Sequence, residues 1–199
     1  IIKKKFPHDG FFGEETGEKA SASGRRWIID PLDGTRPYIY GLPFFSVLIA
    51  LEENNKVVLG IIHLPALKET YYAVKGKGAF CNKKRIYVSK TKSLLKAHGA
   101  ILGWNEMKDH RALSLLKLGS KVNYIFGFND AYTYGCVACG KMDFSVNILD
   151  KAWDNASISI IIKEAGGEFS DLHGKASIYS NSTVVSNGLI HDELIQALH

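Results

Sequence analysis

A chain of 199 residues with 46% hydrophobic and 23% charged content can bury a sizeable core and excludes wholesale disorder. Its longest apolar runs, around Phe44 to Leu51 and Val57 to Leu64, are strand-sized and too short to span a bilayer, and the Ile1-Ile2-Lys3-Lys4-Lys5 start has no signal-type apolar region. The net charge of +5 is dispersed, with Lys3 to Lys5 and Lys83-Lys84-Arg85 the only tight clusters, which favours a solvated surface over a nucleic-acid partner and suits an anionic small substrate.

Phe6 to Glu15 reads as an extended segment that delivers Glu14 and Glu15, and polar Thr16 to Gly24 as a surface loop. Trp27-Ile28-Ile29 is β-branched and apolar, so a buried strand is expected, stopping near Asp30 because Pro31 cannot donate to a ladder. Phe44 to Glu52 and Val57 to His63 pair as strands across the turn Glu53-Asn54-Asn55-Lys56, and Glu69 to Val74 extends the sheet. Gly76 to Phe80 lacks a nucleotide-binding glycine pattern and reads as a hairpin connection. In the second half, strands at Ala100 to Gly103, Val122 to Phe126, Met142 to Val146 and Thr183 to Val185 alternate with helices at Asp109 to Leu118, Asp130 to Cys139, Trp153 to Ala165 and His191 to Leu198. That alternation predicts an α/β layer. Cys81, Cys136 and Cys139 cannot all pair with one another, which favours a reducing, cytoplasmic setting, and the C-x-x-C at Cys136 reads as helix packing because no second pair or nearby His completes a zinc set.

The chemistry concentrates in Asp30-Pro31-Leu32-Asp33-Gly34-Thr35. Two carboxylates three residues apart, with the Leu32 carbonyl between them, offer oxygen ligands to hard cations. A helical turn beginning at Gly34 and Thr35 would aim unpaired N–H groups at an anion beside them. The plain alternative is a polar turn after a core strand. Asp154 follows Trp153 at the start of an apolar helix, where it serves either as an N-cap or as a third site acid. Glu14 gains meaning only if it converges with these.

Gly13-Glu14-Glu15, then Trp27 to Thr35 (W-I-I-D-P-L-D-G-T), then Trp153-Asp154 with Ile160 to Gly167 (I-I-I-K-E-A-G-G), together resemble the inositol monophosphatase family of magnesium-dependent phosphomonoesterases. Gly76 to Asn82 (G-K-G-A-F-C-N) and the A-C-G-K-M-D segment ending at Asp143 add to the likeness. The resemblance implies an α+β layered, inositol monophosphatase/fructose-1,6-bisphosphatase-like α-β-α-β-α sandwich with mixed sheets, a single phosphatase domain over 1–199 with halves of about 1–98 and 99–199, and a homodimer. The family's N-terminal helices, which precede the segment matching Phe6 to Glu15, are missing from this chain, so part of the core and of the Thr35 support is expected to be absent.

Carried onto these residues, the resemblance makes Glu14, Asp30 and the Leu32 carbonyl ligands of one Mg²⁺ and Asp30, Asp33 and Asp154 ligands of a second, with a third ion near Glu14 or Mn²⁺ in place of Mg²⁺. Glu14, Asp33 and Thr35 take catalytic roles, with Thr35 orienting the attacking water, and the Gly34 and Thr35 N–H groups bind phosphate. Two clamped cations would serve an in-line displacement, and the family is lithium-sensitive. Substrate contacts fall to Arg36, Asn147 and Asp150. The basic-aromatic loop at Arg36 is similar to the histidinol-phosphatase branch, and Asn147 stands where inositol phosphatases often carry an acid. The expected function is therefore Mg²⁺-dependent hydrolysis of an inositol monophosphate-type or histidinol phosphate-type ester. The alternative is a non-catalytic relative that regulates by binding RNA or protein.

Overall fold

The computed structural model describes residues 1–15, 17–103, 110–127 and 130–199. After a short helix, α1 (Ile2–Lys5), the first half builds one eight-stranded sheet from β1 (Gly10–Gly13), β2 (Gly17–Lys19), β3 (Arg25–Asp33), β4 (Ser46–Glu53), β5 (Lys56–Leu64), β6 (Glu69–Val74), β7 (Gly78–Cys81) and β8 (Lys84–Ile86), with the five-residue helix α2 (Thr35–Ile39) between β3 and β4. The spatial order is β2-β1-β3-β4-β5-β6-β7-β8, antiparallel throughout except where β1 runs parallel to β3. Asn54 and Asn55 both adopt positive φ at the β4/β5 turn, the conformation a two-residue hairpin demands and Asn tolerates. β2 forms within the stretch expected to be a loop: its three exposed residues gain strand geometry by pairing with β1, a register their sequence pattern does not advertise.

The second half supplies β9 (His98–Leu102), α3 (His110–Lys121), β10 (Tyr124–Phe126), α4 (Ala131–Ala138), β11 (Phe144–Asn147), α5 (Ala152–Glu164), β12 (Glu168–Ser170), β13 (Thr183–Ser186) and α6 (His191–Ala197). Its five strands form a mixed sheet ordered β10-β9-β11-β13-β12. The expected helix beginning at Asp109 is present from His110; Asp109 itself lies outside the described residues. The strand expected at Met142 to Val146 starts later, at Phe144; just before it, Asp143 still donates its N–H to the His98 carbonyl, and its carboxylate accepts the Ser89 hydroxyl and the His98 N–H.

The two sheets sandwich α4 and α5. Leu48, Ile62, Leu64, Tyr71 and Ala73 from the first sheet meet Val137, Ile158, Ile161 and Ile162 from these helices in one buried cluster, which Ala100 and Val185 close from the second sheet. On the far side of the second sheet, Phe144, Val146 and Val184 pack against Leu115 and Leu118 of α3 and Leu194 of α6. Strand periodicity explains the division, since neighbouring residues of β11 and β13 face opposite layers. α5 is apolar around most of its circumference, as a helix with sheets on both sides must be. The result is the layered α/β architecture with mixed sheets expected from the sequence. Among the described residues, no helix is long and apolar enough to cross a membrane.

Candidate metal and phosphate site

β3 does not stop at Asp30. It continues to Asp33 through an irregularity: Asp30 pairs with Leu48 and Asp33 with Ser46, so three steps on β3 match two on β4. In a regular strand residues three apart point to opposite faces; one extra residue restores the phase and turns both carboxylates the same way. Pro31, at this bulge, needs no ladder hydrogen bond, which is why the strand survives it.

The chain then turns through Gly34, the N-cap of α2, at φ 78° and ψ 44°. A Cβ there would lie 2.8 Å from the Phe44 carbonyl oxygen and 3.2 Å from Asp130 Oδ2, so only glycine fits both the conformation and the space. The Thr35 hydroxyl donates to the Leu32 carbonyl at 3.2 Å, and the Leu32 N–H donates to Asp30 Oδ1 at 2.8 Å. The N–H groups of the first turn of α2 have no partner four residues back within the helix.

Asp154 arrives from α5. It is the third residue of that helix rather than its N-cap, which is Lys151; its Oδ2 accepts the Lys151 N–H at 2.6 Å. The cap expectation is corrected by one turn: Asp154 restrains the helix start from inside it and leaves Oδ1 for other work. One carboxylate oxygen each from Asp30, Asp33 and Asp154 lie within 4.8 Å of one another. Asp33 Oδ2 is further held by the Ser46 hydroxyl at 2.6 Å and the Ala131 N–H at 3.0 Å, which ties the site to the start of α4. Glu14 is exposed and stands outside the 4.8 Å group, though its charge faces Asp30.

The electrostatics report a concentration of negative charge. Burial, then the charges of Asp150, Asp33 and Asp30, push Asp154 up to about 9. Burial and the neighbouring Asp130 and Asp30 hold Asp33 well above the usual carboxylate range, and burial raises Asp30. Burial, then Asp30, raises Glu14. Protons shared among crowded acids satisfy such a cluster poorly, whereas a divalent cation would reverse every one of these shifts. The donors are all oxygen, the set that hard cations such as Mg²⁺ or Mn²⁺ take and zinc normally does not.

Asn147 and Asp150 are brought together but turned inward. Both are buried; the Asn147 amide donates to Asp150 Oδ1 in a short contact, and the Tyr134 hydroxyl donates to Asp150 Oδ2 at 2.5 Å. Asp150 therefore braces the wall of the site with both oxygens occupied. Arg36 projects from exposed α2. Its charge partly offsets the upward shift of Asp130, a residue that by sequence is only the start of a helix. Asp130 does occupy the N-cap position of α4, but its side chain caps nothing, its backbone is at φ 60° and ψ −160°, and its buried Oδ2 has no hydrogen-bond partner among the described residues. Burial, then Asp150, pushes it up to about 6. No sequence signal separates such an acid from an ordinary N-cap.

Similarity to known proteins agrees with this geometry. The family model described as "Inositol monophosphatase family" matches residues 1–199. A fructose-1,6-bisphosphatase/inositol-1-monophosphatase of Thermotoga maritima is 41% identical over all of this chain and 76% of its own length. A histidinol-phosphatase of Chlorobaculum parvum is 37% identical over 99% of this chain and 77% of its own. Among solved structures, an inositol monophosphatase from Anabaena superposes with a TM-score of 0.92 at 30% identity, covering 99% of this chain and 81% of that one. Fold and similarity together define a phosphatase of layered α/β type. The chain belongs to the inositol monophosphatase family.

Proposed function

We propose that the protein hydrolyses a small phosphate monoester with the help of two or three divalent cations, Mg²⁺ or Mn²⁺, in one phosphatase domain spanning residues 1–199. The observation that carries this reading is the convergence of Asp30, Asp33 and Asp154 within 4.8 Å. Asp30, Asp33 and Asp154 would hold one ion, and Asp30, the Leu32 carbonyl and Glu14 the other. When bound, such cations supply Lewis acidity toward a phosphoryl oxygen and an acidified water. The chain's own part is positioning. The Gly34 and Thr35 N–H groups bind phosphate oxygens as charge develops. The Thr35 hydroxyl, already directed at Leu32, orients the nucleophile.

For the alcohol part of the substrate, Arg36 and Asp130 flank the phosphate turn, and the negative charge of Asp130 beneath it favours an alcohol that carries a cationic group. That supports the histidinol phosphate type over the inositol monophosphate type, in line with the histidinol-phosphatases among its relatives. Asn147 and Asp150 shape this wall from behind. Three free cysteines support a reducing, cytoplasmic setting, and the protein is taken to act as a homodimer, which sedimentation would test.

The test is phosphate release from histidinol phosphate, inositol 1-phosphate and fructose 1,6-bisphosphate with Mg²⁺ present. Turnover is expected on at least one ester, to vanish with EDTA or in Asp33→Asn, and to slow with Li⁺. Inactivity of the full-length protein on the whole panel overturns the proposal, and activity that survives EDTA overturns its metal dependence.

A further inference from the structure

Nine residues beyond Asp154, or about 14 Å along the axis of α5, Lys163 projects from the last turn of that helix beside a second concavity. Its volume is about 520 Å³, within the range that holds a small organic molecule. Its floor is apolar, made by Ile160, Phe169 and Ile178, and its lining carries three ammonium groups, those of Lys56, Lys75 and Lys163. All three lysines are exposed, and none of the three ammonium groups makes a hydrogen bond or ion pair among the described residues.

The acids of the same cavity are differently placed. Glu52 is buried and bound by Arg26 at 2.7 Å and by the Tyr179 hydroxyl at 2.6 Å, so its charge is already paired. Glu164 is held by the Gly76 and Gly78 N–H groups, each at 2.7 Å, in the turn that presents Lys75. Those N–H groups orient Glu164 without cancelling its charge, so Glu164 and Glu168 stand against the three cations and leave a surplus of one positive charge. The helix end adds little negative potential of its own, because the carbonyls of Ile161, Ile162 and Lys163 accept the N–H groups of Ala165, Gly167 and Gly166. An apolar floor with surplus positive charge at its edge matches a ligand of the inverse pattern.

We infer that this cavity is a binding site, separate from the carboxylate centre, for a small organic anion that carries two or more negative charges on an apolar body. The apolar body displaces water from half-buried Val57 and Ile178 and from the little that Ile160 and Phe169 leave open, and the acidic groups reach the lysines. Neither part suffices: exposed ammonium groups hold an isolated anion weakly, and a neutral apolar molecule leaves the charge unanswered.

Calorimetric titration of the full chain in EDTA, with naphthalene-1,5-disulfonate as probe, tests the site. Saturable binding is expected, while naphthalene-1,5-diol and inorganic sulfate bind far more weakly. Single Lys56→Gln, Lys75→Gln and Lys163→Gln substitutions should each weaken the probe by about twofold to fivefold, and the triple variant by about 30-fold if the effects add. The triple variant should keep its phosphatase turnover, and Asp33→Asn should keep its probe binding, so failure of this inference is distinguishable from failure of the proposed catalysis. Absence of saturation, equal affinity for the diol, an unweakened triple variant, or loss of binding in Asp33→Asn overturns it.

Discussion

At φ 60° and ψ −160°, Asp130 occupies backbone space that residues with a Cβ avoid, at a cost of order 1 to 3 kcal/mol. Its carboxylate adds like-charge repulsion, since Asp150 and Asp30 both push its proton affinity up. Asp130→Gly removes both penalties and gives back up to about 1 kcal/mol through the freer unfolded chain. Without metal, the variant should therefore be more stable by about 1 kcal/mol in urea unfolding. Asp130→Ala, which keeps the strained backbone, should gain less. A destabilised glycine variant would mean that the attraction between the Asp130 and Arg36 charges outweighs the strain. If Asp130 reads a cationic alcohol, Asp130→Gly also lowers kcat/KM for histidinol phosphate while sparing inositol 1-phosphate. The contrast with Asp30, Asp33 and Asp154 shows what a sequence can reveal at this scale. Those three stand in motifs whose neighbours (Pro31, Gly34, Trp153) mark the local backbone. Asp130 is exceptional only through its conformation and its orphaned oxygen, neither of which leaves a trace in residue order.

Among the elements, α5 does most to couple the fold to the site, since its first turn carries Asp154 and its body lies against the first sheet. The approach is closest at Gly60 of β5, where an added Cβ would meet Ile160 Cγ2 and the Ser157 carbonyl oxygen, both at 2.5 Å. The backbone oxygen cannot rotate away, so Gly60→Ala must lift the helix, at a cost of about 1 to 3 kcal/mol. The expected outcome is a lower Tm together with weaker Mg²⁺ binding by calorimetry, because lifting α5 withdraws Asp154 from Asp30 and Asp33. A fall in Tm with Mg²⁺ affinity unchanged would show that the helix start is held independently of its middle. Alternating and apolar runs along the chain mark most of the strands and all of the long helices, because burial on one face or two leaves its period in the residue order. The features that periodicity misses are those made by pairing: exposed β2 exists by virtue of β1. The bulge at Pro31 belongs with them, and it is what allows β3 to carry two site acids on one face.

Over the whole molecule, the crowded acids make stability depend on pH in a direction that metal should reverse. Asp154, raised to about 9, and Asp33, raised well above its ordinary value, keep protons in the metal-free folded state that the unfolded chain has already released above about pH 4. The folded state binds more protons, so their contribution to stability is full at low pH and is lost as pH rises toward the folded values. Between pH 7 and 8.5 the competing groups fall silent. Asp9 and Asp171, lowered by hydrogen bonds and neighbouring positive charge despite burial, titrate below this range, and His191, lowered by burial, is neutral in the folded state and mostly neutral in the unfolded one. Stability of the metal-free protein should decline across this window by up to about 1.4 kcal/mol per pH unit for each proton by which the states differ. Saturating Mg²⁺ should raise Tm and flatten or invert the slope, because the acids that take up the cation give up those protons. Cys136, raised to about 11 by burial, contributes in the same direction near the upper limit, and Asp154→Asn separates the two effects. Scanning calorimetry in EDTA and in Mg²⁺, at steps across the window, provides the measurement. A slope undiminished in Asp154→Asn, or one that Mg²⁺ leaves untouched, would place the titrating groups elsewhere and detach the carboxylate cluster from metal binding.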